Sequence, residues 1–254
     1  MINPIRFKTL IYREIIRFIK VINQTILSPA LSSFLYLAVF GVILGGQVSH
    51  VSSLSYIQFM IPGILIMEVI MSSYSNTSSS LFLSRYLHMI EHLLITPITY
   101  TEFVLAHIFG GVCRGIVIGT LIWCISLLFS PFRLIHPFGA IFFMVGISIV
   151  FAGVGILVAL WSDEFEDLSV VTTYLITPFT FMGGVFYSIQ MLPDFLHRIT
   201  LFNPFFYLID AFRWSLTGYS EGNLLISVIL TIGLAVFFTS VNIYLFKKGY
   251  KLKQ

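Results

Sequence analysis

Charge is what this 254-residue chain has least of. Asp, Glu, Lys and Arg together make 10% of it, against about 25% in a soluble domain. That shortage excludes a soluble globular protein, and the net charge of +3 is no nucleic-acid signal when basic residues are so few. Cysteine is scarce too. Cys113 and Cys124 stand eleven residues apart in one apolar run, about 16 Å along a helix, too far for a disulfide within it. No G-x-x-x-x-G-K-[ST] loop is present, so ATP cannot bind in the usual way, and no dinucleotide fingerprint or serine-nucleophile elbow appears. The charged first 20 residues lack a signal-peptide cleavage pattern. What fills the chain is hydrophobic: 57% of residues, 16% aromatic, mean hydropathy +0.96.

Six apolar segments approach the ~20 residues that span a bilayer. They fall at about Leu27–Gly46, Tyr56–Ser79, Phe103–Phe129, Pro137–Leu160, Leu168–Tyr187 and Leu224–Phe246. Before them, residues 3–24 carry Arg6, Thr9, Arg13, Arg17 and Lys20 at helical spacing, with Ile11, Ile15, Phe18 and Ile22 on another face. That pattern predicts an interfacial helix on an anionic leaflet. With a cytoplasmic N-terminus, Arg6, Lys8, Arg13, Arg17, Lys20, Arg85, Lys247, Lys248, Lys251 and Lys253 lie inside, and only Arg133, Arg198 and Arg213 outside. The positive-inside rule therefore puts both termini in the cytoplasm. No fixed-period repeat and no low-complexity linker divides the chain, so residues 1–254 are expected to form one domain.

The first inner loop, 85–97, predicts a short amphipathic surface helix. Leu87, Ile90 and Leu94 share one face, and Arg85, His88, Glu91 and His92 the other. Pro97 stops it, and Thr99 with Glu102 makes a capping box for the next span. Such an element suits force transfer from a soluble partner. His88, Glu91 and His92 also match the H-x-x-E-H zinc pattern, but no third ligand or shaped cavity accompanies them. In the second inner loop, 162–167, acids suit a helix N-terminus, with Ser162 or Asp163 as the cap. Gly139, Gly146 and Gly153, seven apart, predict one face for close packing.

Glu68 and Arg114 fall near the midplane of adjacent spans. Each alone would cost roughly 2.5–3.5 kcal/mol to insert, so both should face the protein interior. A buried pair that fixes helix register and a polar feature of a translocation path both fit them. Residues 71–80 are almost entirely Ser, Thr or Asn, which fits a wettable cavity wall or tight packing through small residues.

Residues 178–213 are apolar yet broken by Gly183-Gly184, Pro193 and Asn203-Pro204. A lipid-embedded helix cannot leave its backbone unpaired at so many breaks. The expectation over 183–216 is an outer re-entrant helical hairpin, with Asp210 and Arg213 near the water interface.

The basic N-terminal helix, six spans, the 91–97 loop and the broken outer stretch together resemble the ABC-2 type transporter permeases, over essentially the whole chain. Phe181-x-Gly183-Gly184-x-Phe186-Tyr187, then Leu192-Pro193, Asn203-Pro204-x-x-Tyr207 and Arg213, carry the likeness most specifically. The resemblance implies an all-α polytopic permease of the bacterial inner membrane. It would be a half-transporter that pairs with a second permease chain, a homodimer being the commoner default. Two separate ABC ATPase subunits would bind ATP and Mg, and this chain would bind no cofactor or metal itself. Residues 85–97 would be the coupling helix seated on the ATPase, with membrane lipids the only other expected partner. An ATP-independent transporter or channel, and an intramembrane zinc enzyme, are the alternatives.

Overall fold

The computed structural model describes residues 3–44, 50–51, 54–90, 98–131 and 134–251. Helix α1 (Pro4–Lys20) starts where Asn3 accepts a hydrogen bond from the Ile5 amide, with Pro4 in the first turn. The first span runs through a π-turn (Asn23–Leu27), α2 (Ser28–Tyr36) and a second π-turn (Leu37–Leu44). A two-residue antiparallel bridge, β1 (His50–Val51) with β2 (Leu54–Ser55), then leads into α3 (Tyr56–Tyr86). Helices α4 (Tyr100–Ser126) and α5 (Pro137–Trp161) follow. Residues 165–182 form one continuous helix of three parts: α6 (Phe165–Val171), a π-turn (Thr172–Ile176) and α7 (Thr177–Met182). After a 3₁₀ turn (Ile189–Met191) come α8 (Asp194–Phe202), α9 (Pro204–Thr217) and α10 (Leu224–Lys248).

The molecule is therefore an all-α polytopic membrane protein. Among the described residues, five helical segments are long and apolar enough to cross a membrane: Asn23–Gly41, Tyr56–Tyr86, Tyr100–Ser126, Pro137–Trp161 and Leu224–Lys248. The expected segment Leu168–Tyr187 is not one of them. Its helix stops at Met182, and Thr172, Thr173, Thr177 and Thr180 dilute its apolar character.

The caps explain several boundaries. Thr99 and Glu102 form the expected capping box, and Ser55 with Gln58 forms another at α3. The 162–167 loop departs from expectation: Glu164, not Ser162 or Asp163, caps α6, in a reciprocal box with Asp167. Asp163 instead takes Lys251 Nζ at 2.8 Å, and that hydrogen bond holds its pKa below the ordinary carboxylate value.

Helix α3 is the central post, packed against α4, α5 and α9. In its most apolar stretch 78% of residues are buried, against 11% for α10, whose outer face is left for lipid. Close approach comes from a glycine seam on α4. A Cβ on Gly111 would lie 2.8 Å from Ala152 Cβ, on Gly115 2.5 Å from both Ser73 Oγ and Ser148 Oγ, and on Gly119 2.6 Å from Met144 Sδ. On α5, Gly146 and Gly153 do face one neighbour, α10, through Thr231 and Phe238. Gly139 leaves that seam and meets Ser215 and Trp214 of α9 instead.

Candidate functional site

Two buried polar centres lie at opposite ends of α3. The first surrounds the break at Gly183-Gly184. A helix that stops in apolar surroundings leaves carbonyls that the rest of the fold must satisfy. Here the Gly183 amide returns to the Thr180 carbonyl at 3.0 Å, and the Asn203 side-chain amide donates to the Phe179 carbonyl at 2.7 Å. Arg213 Nη2 donates to the Gly184 carbonyl at 2.5 Å, and the Tyr56 hydroxyl to the Phe186 carbonyl at 3.1 Å. Gly184 sits at φ +77°, where a side chain would be strained. A Cβ on Gly63 of α3 would lie 2.8 Å from the Val185 carbonyl oxygen, so that glycine lets the broken segment rest directly on α3.

Arg213 is 0% exposed, which corrects its expected place at the water interface. Its Nε donates to the Phe59 carbonyl at 3.3 Å, its guanidinium carbon lies 3.9 Å from the Phe59 ring centroid, and Nη1 is 3.7 Å from Asp210 Oδ1. The carbonyls it serves are buried, so it must be buried with them. Asp210, 1% exposed, accepts from Ser220 Oγ at 2.6 Å, the Glu221 amide at 3.0 Å and the Gly222 amide at 2.9 Å. Glu221 extends the network, accepting from Ser188 Oγ, the Ile189 amide at 3.1 Å and Tyr219 Oη at 3.1 Å.

The remaining signature residues shape the same region. Pro193 precedes α8, Pro204 opens α9, and the Tyr207 hydroxyl donates to the Leu201 carbonyl at the end of α8. Phe205, just past that tip, lies 5.1 Å from the Phe151 ring and 5.8 Å from the Phe179 ring, which sets the α8–α9 corner against the middle of α5.

The second centre docks α1. Glu14 is 1% exposed and accepts from Ser80 Oγ at 2.7 Å. Arg17 Nε, Arg13 Nη2 and His107 Nε2 stand 3.5–3.6 Å from its oxygens. Burial opposes its charge, but His107, Arg17, Ser80 and Arg13 outweigh that and hold its pKa below the ordinary carboxylate value. Arg17 Nη2 also donates to Asn76 O at 2.6 Å and Asn76 Oδ1 at 2.9 Å. A Cβ on Gly110 would lie 2.8 Å from Glu14 Cβ, so α1 and α4 touch backbone to side chain. Helix α1 therefore turns Leu10, Glu14 and Phe18 inward and leaves Ile5, Tyr12 and Ile19 exposed. Of its charged residues Arg13, Glu14 and Arg17 reach protein partners, while Lys8 and Lys20 stay exposed. One face of the Ser-rich stretch of α3 is packing surface as well: Ser73 donates to the Gly111 carbonyl, and Thr77 to the Ala152 carbonyl.

Glu68 and Arg114, the two charges expected in mid-span, are both buried, but among the described residues no ion pair or hydrogen bond joins them or satisfies either. The charge acting on Arg114 is that of Arg17, of like sign. The register explains the miss: Gly115 meets Ser73 and Gly119 meets Val69, so Arg114 and Glu68 sit at different heights. Arg85 is drawn inward, its Nη1 donating to the carbonyls of Ala159 (2.5 Å), Leu160 (3.2 Å) and Ser162 (3.1 Å), where it closes the C-terminal end of α5. His88 is exposed and turns the chain at φ 56°. Glu91, His92, Leu94 and Pro97 lie outside the described residues.

Glu14, His107, Tyr56 and Glu221 escaped the sequence reading. An acid alone among the arginines of an amphipathic helix, and a His one turn from Gly110-Gly111, were the available signals.

Residues 5–217 match the family model of the ABC-2 type transporter. The inner membrane transport permease YadH of Escherichia coli strain K12 is 33% identical over 92% of this chain and 90% of its own length. Nodulation protein J of Rhizobium meliloti is 24% identical over 78% of this chain and 76% of its length. Putative transport permease ycf38 of Cyanophora paradoxa is 27% identical over 86% of this chain and 75% of its length. With a family match across most of its length and a permease one-third identical nearly end to end, this chain belongs to the ABC-2 type transporter family and is a transmembrane transporter subunit.

Proposed function

We propose that the chain is the permease subunit of an ATP-driven exporter of the bacterial inner membrane, with two permease chains and two separate ATPase subunits in the working complex. The family match over residues 5–217 carries this reading. The inner-membrane permease name of the E. coli relative supports the location. The chain's own lack of a P-loop leaves ATP and Mg to the partner. The basic residues favour cytoplasmic termini, ten inside against three outside.

Six crossings are supported by a parity argument. Lys251, just after α10, bonds Trp161 O and Asp163 just after α5, so the two helices end on the same side. Helix α10 must then begin on the opposite side, and only residues 165–182 can carry the chain across. That segment runs from Leu168, whose carbonyl takes the Tyr74 hydroxyl at 2.9 Å, towards Phe186 beside Tyr56. It is 18 residues long, about 27 Å. The α8–α9 corner, level with the middle of α5, is then a re-entrant hairpin whose polar network holds the outer end shut.

Helix α3, at 31 residues or about 46 Å, exceeds the ~30 Å hydrocarbon core. Its inner turns therefore stand clear of the hydrocarbon, where the chain from Arg85 through Pro97 meets the ATPase. Arg85 stiffens that element from within, and Tyr86, Leu87, His88 and Met89 are its exposed described residues. The stripe of Glu68, Met71, Ser75 and Ser79 on α3 is the least covered side of that helix and faces the second permease chain and the path between them.

The test is co-expression with candidate ATPases and purification through a tag on this chain. Recovery of one ATPase whose hydrolysis rises on reconstitution is the expected result. Flux in vesicles of this chain alone, driven by an ion gradient and with no ATPase recovered, would sink the reading.

A further inference from the structure

The inner centre holds more cationic donors than its acid can engage. Arg114 is 7% exposed, makes no hydrogen bond to a described residue, and has its Nε closed off from solvent. Asn76 turns Oδ1 to Arg17, which fixes its amide nitrogen the other way, towards α4 at Gly110. That nitrogen is buried and has no acceptor, and so is the hydroxyl of Ser72 one turn along α3. Gly110, where a Cβ would lie 3.3 Å from Asn76 Nδ2, is one turn before Arg114 on the same face of α4, and Ser72 is one turn from Asn76 on α3, so these donors lie along one seam between the two helices. Glu14, the one acid of the cluster, is already shared by Arg13, Arg17 and His107. The acceptor beside these buried donors, Glu14 Oε1, already faces Arg13 and His107 at 3.6 Å, so the donors left over call for an anion from outside the chain.

We propose that Arg114, Arg17, the Asn76 amide and Ser72 form a binding site for a phosphate group at the junction of α1, α3 and α4. A phosphate offers several acceptor oxygens to donors arriving from three helices, which a single carboxylate does less well. The Arg17 side chain is 27% exposed, so the site opens beside α1, whose exposed Ile5, Tyr12 and Ile19 mark the side that faces lipid. The phosphate can come from an anionic phospholipid or from a soluble phosphate ester.

The purified chain in neutral detergent, with no ATPase present, tests this independently of the transport reading. Its thermal unfolding is titrated with phosphatidylglycerol, with phosphatidylcholine and with inorganic phosphate. Phosphatidylglycerol should raise Tm by about 3–6 °C at saturation. Arg114→Gln should abolish that shift, and Lys251→Gln, a surface change elsewhere, should leave it intact. An equal shift with inorganic phosphate supports the site with a soluble source; a shift with phosphatidylglycerol alone supports it with a lipid source. If Arg114→Gln yields no folded protein, Arg114→Lys should move the titration midpoint about tenfold higher through loss of the guanidinium fork. An undiminished shift in Arg114→Gln, an unmoved midpoint in Arg114→Lys, an equal response to phosphatidylcholine, or no shift with any of the three overturns the proposal.

Discussion

The two ends of α3 handle buried charge in opposite ways. At the outer end Arg213 meets two carbonyls and one aromatic face, leaving its Nη1, 3.7 Å from Asp210, without a hydrogen bond, and Asp210 in turn meets two amides and a hydroxyl. At the inner end Arg114 hydrogen-bonds to no described residue, and among the described residues Glu14 Oε1, His107 Nε2, Arg17 Nε and Asn76 Nδ2 are buried without a hydrogen bond, Glu14 facing His107 and Arg17 only at 3.5–3.6 Å. A satisfied network rigidifies its surroundings, whereas a buried polar group left unpaired is costly. The comparison teaches where buried charge is answered within the chain and where it is not: the lock around the broken helix is nearly closed, and the junction of α1 with α3 and α4 is open.

The largest expected effect tests the closed end. Arg213→Met should destabilise the chain by ~3–5 kcal/mol, since it leaves Asp210 buried without its cation and the Gly184 carbonyl without its donor. Thermal or denaturant unfolding in detergent reads it, and a change under 1 kcal/mol would break the comparison at once. Arg85→Gln comes next, at ~2–3 kcal/mol, because three carbonyls at the end of α5 share that one guanidinium. The same measurement applies, and hydrogen exchange should show the loss concentrated at Ala159–Ser162.

How much of this was legible beforehand follows the same divide. The outer breaks were readable because Gly, Pro and Asn-Pro declare where a helix stops, and the Asn203 and Arg213 positions lay in a recognisable order. Burial of Arg213 was not readable, since a hydropathy pattern cannot tell which side chain will reach back to a stranded carbonyl 29 residues away. At the inner end, the 3.6-residue period located α1 but not the face it buries. Basic residues suggested lipid headgroups, while the pairing that decides the matter joins Glu14 to Ser80 and His107, 66 and 93 positions distant. The midplane estimate for Glu68 and Arg114 failed as a pair because span length was taken from hydropathy, and the glycine seam of α4 sets a different register.

Arg114→Met sharpens the contrast from the other side. Replacing a buried cation that has no hydrogen-bond partner among the described residues with an apolar residue of similar volume should be neutral or stabilising, by about 1–2 kcal/mol in neutral detergent. Opposite signs for the Arg213 and Arg114 substitutions, measured side by side, are the expected result. Equal losses would mean that both arginines are structural and that the inner end is as closed as the outer.

The smallest effect concerns Glu14, and its sign can be worked out. Its pKa in the docked state lies below the ordinary 4.5, so docking gains stability that is full above that value and fades as pH falls through the depressed one. The groups facing it are Arg13 and Arg17 on α1, Ser80 on α3 and His107 on α4. Charging the buried His107 in acid would cost stability as well, so it is the comparison with Glu14→Gln that separates the carboxylate's share from the imidazole's. Glu14→Gln should cost ~1 kcal/mol at pH 7 and flatten the profile, because the amide can keep the Ser80 contact but cannot answer the arginines. Protease access to the link between α1 and α2, followed from pH 7 to pH 3, reads both. A wild-type profile as flat as that of the Gln variant would show that α1 is held by Leu10 and Phe18 alone, and the open junction would then owe nothing to its charges.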